Sequence, residues 1–213
     1  MKHLFIALGC LLSLPALALD NADQQRLAGI QNEWANIQYQ LVQGQRAAAF
    51  ERLSGQTERF TKERPAAAEA WIWSGIVHSS WAGAQGGLGA LGKAKLARQD
   101  FEKALAIDPD ALQGSAYTSL AALYDRVPGW PIGFGDAEKA GQLLTEALRI
   151  NPQGIDTLYF WGDHLYRLGR YAQAREALNK ALQAPARPGR EVADAGRRED
   201  IRQLQADIDK KLK

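Results

Sequence analysis

Apolar side chains along most of this chain recur at intervals of three and four residues, which places them on one face of an α-helix. Leu27, Ile30 and Trp34 follow this spacing near the start, and Ile201 and Leu204 follow it near the end. Apolar and polar residues alternate for no more than a few positions at a time, so no strand is predicted. The pattern predicts an all-α protein.

Three stretches repeat the same combination of small and large residues. Each has an alanine, a large apolar residue four positions later and a second alanine three positions after that: Ala97, Phe101 and Ala104; Ala140, Leu144 and Ala147; Ala174, Leu178 and Ala181. This spacing puts the side chains on one helical face, where the alanines let a neighbouring helix approach closely. A helix upstream of each stretch carries its own small residue, Gly75, Ala121 or Gly162. Three helical hairpins are therefore predicted.

The arrangement resembles the tetratricopeptide repeat, a helical hairpin of about 34 residues with the same small and large positions. Ala147 and Ala181 lie one such period apart, and the resemblance covers residues 65–186. It implies an α-solenoid of three recognisable repeats. Residues 19–64 are expected to form a degenerate N-terminal hairpin, and residues 187–213 a C-terminal helix that caps the exposed end.

The first two predicted hairpins are longer than the third, since more residues separate their small residue from the first repeat alanine. We place the extra residues in enlarged hairpin turns at 82–93 and 127–136. The first turn is rich in glycine, which favours a bend. In the second, Asp136 is positioned to cap the helix that follows.

The 127–136 turn also carries large apolar residues, for which exposure to water is unfavourable. Trp130, Ile132 and Phe134 either fold back over the solenoid as a lid or stay exposed for a partner. Because loops with several prolines and aromatic residues tend to be ordered, folding back is the favoured alternative.

The first eighteen residues have the three-part layout of a secretory signal peptide. A positively charged start is followed by an apolar stretch, residues 4–14, and then by the small residues Ala16 and Ala18. Cleavage after Ala18 predicts export to the bacterial periplasm. The stretch is shorter than the roughly 20 apolar residues of a membrane span, so no stable span is expected. Residues 7–10 loosely resemble a lipidation motif, which leaves an anchor through Cys10 as the alternative.

The amino-acid composition argues against several classes of protein. Lys and Arg total 26 against 24 Asp and Glu, whereas proteins that bind nucleic acid usually carry a concentrated basic surplus. A single cysteine excludes an internal disulfide, and the sequence has no Cys/His cluster for structural zinc. We therefore predict no nucleic-acid partner, no metal and no other cofactor.

Candidate catalytic groups are sparse. Beyond residue 18 the only histidines are His78 and His164, and neither lies in a zinc-protease or Ser/His/Asp motif. His78 occupies a repeat position that normally holds a large packing residue, so a structural role is predicted. We therefore predict a non-enzymatic protein. The hydrolase alternative would need catalytic groups brought together by the insertions, such as Asp163 or His164 facing Asp125.

The resemblance to tetratricopeptide repeats implies that the first helix of each hairpin lines a concave groove where partners bind. The matched small residues indicate which side of each first helix faces the groove. The residues predicted on that side are Ile72, Ile76, Ser79, Thr118, Ala122, Asp125, Tyr159, Asp163 and Tyr166. Arg126 and Arg167 lie one residue past that face and are suited to pair with a carboxylate. The alternative is a solvated polar face without a partner.

The signal sequence, the short helical repeats and the insertion at 128–136 together resemble the T component of TRAP transporters. Those are periplasmic tetratricopeptide proteins that work beside a solute-binding protein for small organic acids.

Two functions therefore stay open. One is an adaptor or scaffold that binds a protein or peptide in an open groove. The other is an accessory subunit of a small-organic-acid transport system, with an enclosed pocket and a periplasmic solute-binding protein as partner. A homo-oligomer is also left open.

Overall fold

The structure is a computed structural model that describes residues 19–213, so the predicted signal peptide and Cys10 lie outside it. The described residues form nine helices and no strand. The helices are α1 (Asn21–Tyr39), α2 (Gln43–Glu63), α3 (Ala68–Gln85), α4 (Gly87–Ile107), α5 (Ala111–Arg126), α6 (Ala137–Ile150), α7 (Ile155–Arg167), α8 (Tyr171–Leu182) and α9 (Glu191–Lys211). The predicted all-α fold class is confirmed. No described helix is both long enough and apolar enough to cross a membrane.

Consecutive helices pair as hairpins, and the first helix of each hairpin also contacts the first helix of the next. The repeat alanines and the large residues between them lie on α4, α6 and α8, and all are fully buried. Their neighbours are the small residues of the preceding helix. A Cβ added to Gly75 would lie 2.5 Å from the Phe101 ring, and one added to Gly162 would lie 2.8 Å from Leu178. Glycine therefore allows these helix pairs to approach as closely as they do.

The extra residues of the first repeat hairpin extend its helices, so the enlarged turn predicted at 82–93 is wrong. α3 ends at Gln85 and α4 begins at Gly87. Only Gly86 and Gly87 have a positive φ there, +63° and +61°, a region that glycine enters without steric cost. The alanines and leucines on either side are strong helix formers and outweigh Gly83, Gly89 and Gly92, so both helices continue up to this break.

Residues 127–136 form the loop between α5 and α6. Its end is tied back to α5, because the Asp136 backbone N–H donates to the carbonyl of Tyr124. The Asp136 carboxylate then accepts a hydrogen bond from the backbone N–H of Lys139, 3.0 Å away. The predicted N-cap of α6 is confirmed.

Helix α9 covers the last hairpin, as a capping helix does, but it also reaches the first helix of the chain. It contacts α7 and α8 on one side and α1 on the other. At the contact with α1, the Tyr39 ring lies directly against Gly196, and the Tyr39 hydroxyl donates to Asp200 at 3.1 Å. Burial raises the pKa of Tyr39 well above its usual range, which keeps the hydroxyl a donor.

These contacts close the solenoid on itself. Helices α1, α3, α5, α7 and α9 each contact the next, and α9 contacts α1, so the five form a complete inner ring. The second helices of the hairpins pack around this ring as an outer layer. We call the set α1, α3, α5, α7 and α9 the inner ring.

Candidate functional site

The inner ring surrounds a cavity of about 1070 Å³. Pockets that hold small molecules usually have volumes of roughly 300–1,000 Å³, so this cavity is slightly larger than that range. All five helices of the inner ring line it, together with the start of α4, the loop after α5 and the segment before α9. A partly open cavity therefore lies where the sequence predicted the concave groove.

Two arginines and three carboxylates form a network in the cavity wall near α9. Asp156, at the start of α7, accepts hydrogen bonds of 2.7 Å from both Arg187 and Arg197. Arg187 also pairs with Asp194 at 2.6 Å, and Arg197 pairs with Asp200 at 3.0 Å. Burial would raise the pKa of Asp156, but the charges of Arg197 and Arg187 outweigh it and lower that pKa to about 2. The network therefore joins α7 to α9 with fully ionised groups.

Arg190 lies beside this network but forms none of the ion pairs of residues 19–213. Its Nε is buried without a hydrogen-bond partner, and its Cζ lies 5.1 Å from the centre of the Trp73 ring. Burial, followed by the nearby charge of Arg187, lowers the pKa of Arg190. Trp73 Nε1 is also buried without a partner among these residues. Two unsatisfied donors thus lie next to each other in the cavity wall.

Aromatic residues of α1 and α3 form the wall beside Arg190. Trp34 meets the ring of Trp73 edge-on, with centroids 5.8 Å apart, and meets Tyr39 in the same way at 5.9 Å. The Trp34 Nε1 donates to Ser80 Oγ at 2.8 Å, which fixes the orientation of the indole. Aromatic rings dominate this part of the wall, where Trp34 and Tyr39 have hydrogen-bond partners and Trp73 Nε1 has none within residues 19–213.

The rim of the cavity includes a strained turn at the start of α5. Leu112, Gln113 and Gly114 are consecutive residues with φ of +47°, +57° and +72°. This left-handed conformation costs roughly 1–2 kcal/mol for a residue with a side chain. The Asn151 side chain donates to Gln113 Oε1 at 3.0 Å and so holds the turn against the α6–α7 connection. Strain of this kind is concentrated at functional sites in proteins.

Some of the residues predicted for the groove line the cavity. Of the residues predicted to face the groove, those that line the cavity are Ile76, Ser79, Thr118, Ala122 and Tyr159, together with Arg126 and with Ile132 of the loop. Ile72 is fully buried and does not line it. Thr118 Oγ1 lies 3.3 Å from Thr157 Oγ1 across the α5–α7 contact, so its hydroxyl is already engaged. The structure thus brings these residues together, and their role in binding stays a prediction.

The other candidate residues do not line the cavity: Asp125, Asp163, Tyr166 and Arg167. Asp163 accepts a 2.9 Å hydrogen bond from Arg126 and pairs with Arg167 at 3.3 Å. Tyr166 packs against Tyr171 at the start of α8. Near their C-terminal ends, α5 and α7 pack directly on each other. The residues there that were predicted to face the groove therefore point between the two helices.

His164 and Asp125 do face each other, as the hydrolase alternative requires. The His164 Nδ1 lies 3.0 Å from both carboxylate oxygens, and the two side chains are only 4% and 5% exposed. Burial raises the pKa of Asp125, although the hydrogen bond from His164 opposes this. The opposite nitrogen, Nε2, faces α6, where a Cβ on Gly141 would lie 3.1 Å away. The pair links α5 to α7 within the helix layer, outside the cavity.

His78 is similarly buried between helices. Its Nδ1 lies 2.7 Å from Asp100 on α4, which gives it the hydrogen-bond partner that a structural histidine needs. No cluster of three or more potential metal ligands occurs within residues 19–213.

The large apolar side chains of the 127–136 loop follow both alternatives that the sequence left open, since one folds back and two stay exposed. Phe134 folds back and meets Tyr124 edge-on, with centroids 5.6 Å apart, and the Arg98 guanidinium lies over its ring. Trp130 and Ile132 are 90% and 70% exposed, so the favoured folding back is wrong for these two side chains. Close backbone contacts between the glycines of the loop and residues 127–128 direct the chain outward at Trp130.

Sequence reasoning missed the residues that give the cavity its chemistry: Trp34, Trp73, Arg187, Arg190 and Arg197. The arginines lie in a segment interpreted as a cap, and Trp34 lies in a hairpin interpreted as degenerate. The one available signal was the arginine-rich stretch from 187 to 198, which is denser in cations than a simple polar cap requires.

Comparison with known proteins supports the repeat assignment. Residues 132–206 match a family model described as a tetratricopeptide repeat, and residues 88–111 match a second one. A crystal structure of a thermophilic tetratricopeptide repeat protein from Thermus thermophilus superposes with a TM-score of 0.61 at 21% identity, covering 87% of this chain and 80% of that one. MamA superposes with a TM-score of 0.46 at 16% identity, covering 92% and 96%. No curated protein matches the sequence.

The fold is thus an α-solenoid of tetratricopeptide-repeat hairpins. Hairpins of this class are consistent with a scaffold for protein–protein interactions. The matches support the repeat itself, and they give no support to the finer resemblance to TRAP T components.

Proposed function

We propose that the protein is an exported, non-enzymatic binding protein that holds a ligand, or a segment of a partner, in the cavity of its inner ring. The observation that carries this proposal is the contact of α9 with both α7 and α1. It turns the concave face, which would be open in a solenoid without this contact, into the wall of a cavity. Export rests on the signal-peptide layout of residues 1–18.

A role as a protein scaffold uses two surfaces of this architecture. Trp130 and Ile132 are exposed on the 127–136 loop, and Ile132 also lines the cavity. Aromatic side chains of this kind often contribute strongly to binding at protein interfaces. A protein partner would contact the loop while an extended segment of it enters the cavity.

The second candidate is an accessory subunit of a small-organic-acid transport system. The cavity favours it, because a volume of about 1070 Å³ suits a small molecule better than a folded partner. In this case the exposed loop would dock on a periplasmic solute-binding protein.

A residue that fills the cavity tests the proposal. Ser119 lies on α5 and lines the cavity, so Ser119→Trp places an indole inside it. Gln142→Trp adds the same side chain on the exposed face of α6 and is the matched control. We expect native mass spectrometry of the protein, purified from its own cell compartment, to find a bound small molecule or partner that Ser119→Trp loses and Gln142→Trp keeps.

The same preparation separates the two candidates and tests export. A co-purifying protein lost on Trp130→Ala supports the scaffold, and a co-purifying small molecule supports the accessory. A mass that lacks residues 1–18 supports cleavage after Ala18, whereas a lipid adduct on Cys10 supports the anchor. Retention of every bound species by Ser119→Trp would contradict the cavity as the binding site.

A further inference from the structure

We propose that the cavity binds a small organic anion, a carboxylate joined to an apolar body, and that Arg190 is the group that binds its charge. The inference rests on the proposed function of the cavity and specifies the chemistry of what it holds. It depends on three observations: the pairing of the arginines, the aromatic wall beside Arg190 and the excess of cations in the lining.

The first observation is that the other arginines of the lining already have partners. Arg126 pairs with Asp163, and both Arg187 and Arg197 pair with Asp156. Arg46 donates through Nε to a backbone carbonyl at 2.9 Å. Arg190 has neither kind of partner within the described chain, although its Nε is fully buried.

Partial burial of a guanidinium without an ion-pair or hydrogen-bond partner is costly, because the Trp73 ring replaces only part of the lost hydration. The lowered pKa of Arg190, caused first by burial and then by the charge of Arg187, reflects the same cost. A bound carboxylate would accept the unused donors in charge-assisted hydrogen bonds, which are about twice as strong as neutral ones. The site is thus prepared for an anion before one binds.

The second observation is the surface next to that charge. The Arg190 guanidinium lies over the Trp73 ring, and Trp34 packs edge-on against the same ring. Ile76 also lines the cavity. A ligand whose carboxylate meets Arg190 would therefore place its body against indole and aliphatic surface. Trp73 Nε1 is buried without a partner in residues 19–213, so Trp73 offers the cavity its ring rather than this donor.

The third observation concerns charge. Within the described part of the chain, the lining includes five arginines, at 46, 126, 187, 190 and 197, but only two acidic residues, Asp156 and Asp200. Asp163 and Asp194, just behind the lining, pair with Arg126 and Arg187, so the remaining excess of positive charge lies at Arg46 and Arg190 and favours an anion there. Since Arg190 is the arginine of this lining with neither an ionic nor a hydrogen-bonded partner, a single charged group on the ligand is expected.

Paired probes of equal shape test the assignment. Isothermal titration calorimetry of the full mature chain would compare 2-naphthoate with the neutral 2-naphthamide. We expect the acid to bind about tenfold more tightly or better, the ratio that one charge-assisted contact supplies. Arg190→Gln should reduce this preference to about twofold or less, and Arg190→Lys should restore part of it.

The matched control is Arg202→Gln on the same helix. Arg202 is exposed and pairs with Glu199, one turn away, so its loss should leave the preference unchanged. Because Arg190 has no ion-pair or hydrogen-bond partner among residues 19–213 and only stacks on Trp73, Arg190→Gln should leave the thermal midpoint of the ligand-free protein nearly unchanged or higher. A purely structural arginine would lower that midpoint.

The outcomes separate this inference from the proposed function. If the wild-type protein binds the acid and the amide equally, the inference that the ligand is an anion is overturned. If Arg190→Gln keeps the wild-type preference for the acid, the assignment of Arg190 is overturned. If Ser119→Trp abolishes the binding of both probes in that case, the cavity is still the binding site. Failure of 2-naphthoate, benzoate and decanoate alike to bind at millimolar concentration would also overturn the inference.

Discussion

At the scale of single residues, the structure separates arginines that hold the fold together from one that is left without a counter-charge. Arg187 and Arg197 share Asp156 and also pair with Asp194 and Asp200 respectively, and the two arginines lower the pKa of Asp156 to about 2. Arg190 has no such partner among residues 19–213. Chemically identical side chains within eleven residues of each other therefore have different roles, and only their contacts distinguish them.

The pairing of Asp156 predicts a dependence of stability on pH. Its pKa is lower in the folded protein than the ordinary value near 3.9, so its ionised form stabilises the fold above about pH 4. That contribution is lost as the pH falls from about 5 towards 2. The Asp156 side chain is 36% exposed, and water in the cavity reduces the effect to about 1 kcal/mol.

Urea unfolding at a series of pH values measures this. The wild-type protein should be more stable than Asp156→Asn at pH 7, and the difference should shrink as the pH falls to 3. Asp207→Asn removes an exposed pair with Lys210 and should show little difference at any pH. A gap between wild type and Asp156→Asn that stays constant with pH would refute the assignment.

At the scale of elements, the hairpins depend on close approach of paired helices. Gly162 on α7 faces Leu178 on α8, just as Gly75 on α3 faces Phe101 on α4. These contacts recur because each hairpin packs one small residue against one large residue at equivalent positions. The same spacing made the repeats visible in the sequence.

Gly162→Ala should destabilise the protein. The added Cβ would lie 2.8 Å from the fully buried Leu178, and overpacking of this kind costs about 1–3 kcal/mol. That exceeds the helix propensity gained, about 1 kcal/mol. Gly29→Ala on α1 has open space around it and should instead stabilise the protein by up to about 1 kcal/mol. Equal effects of the two substitutions in urea unfolding would contradict this packing.

At the scale of the whole molecule, the decisive feature is the contact between α1 and α9. Tyr39 lies against Gly196, so that any larger residue at 196 must push the two helices apart. The consequence extends over the whole inner ring, because opening this one contact exposes the cavity. Ligand affinity should therefore depend on a residue that does not line the cavity.

Gly196→Leu should open the ring. Spin labels on Asn36→Cys and Gln203→Cys, both exposed on α1 and α9, would report a longer and broader distance than in the wild-type background. The mature chain predicted here has no other cysteine, which makes the labelling specific. Gly29→Leu, with nothing within 4 Å of its Cβ, should leave the distance unchanged. An unchanged distance in Gly196→Leu would show that α9 is not held by this contact.

The parts of the fold that depend on local spacing were predictable, and the parts that depend on the path of the whole solenoid were not. Ala140, Leu144 and Ala147 identify a repeat helix because their spacing alone puts them on one face. The contact of Tyr39 with Gly196 depends on the accumulated rotation of every intervening hairpin, which no local pattern reports. Thr118 and Tyr159 could be placed on the concave side from the repeat, whereas Arg190 could not.

Closure of the inner ring also sets an order in time. A chain is synthesised, and an exported chain threaded, from its N-terminus, so the hairpins of α1 to α8 can fold before α9 emerges. Helix α9 then supplies both the contact with α1 and a flank of the cavity next to Arg190. A nascent or truncated chain would consist of folded repeats with no capacity to retain a ligand. Binding competence would thus arise in a single final step, which makes ligand retention a measure of whether synthesis has run to completion.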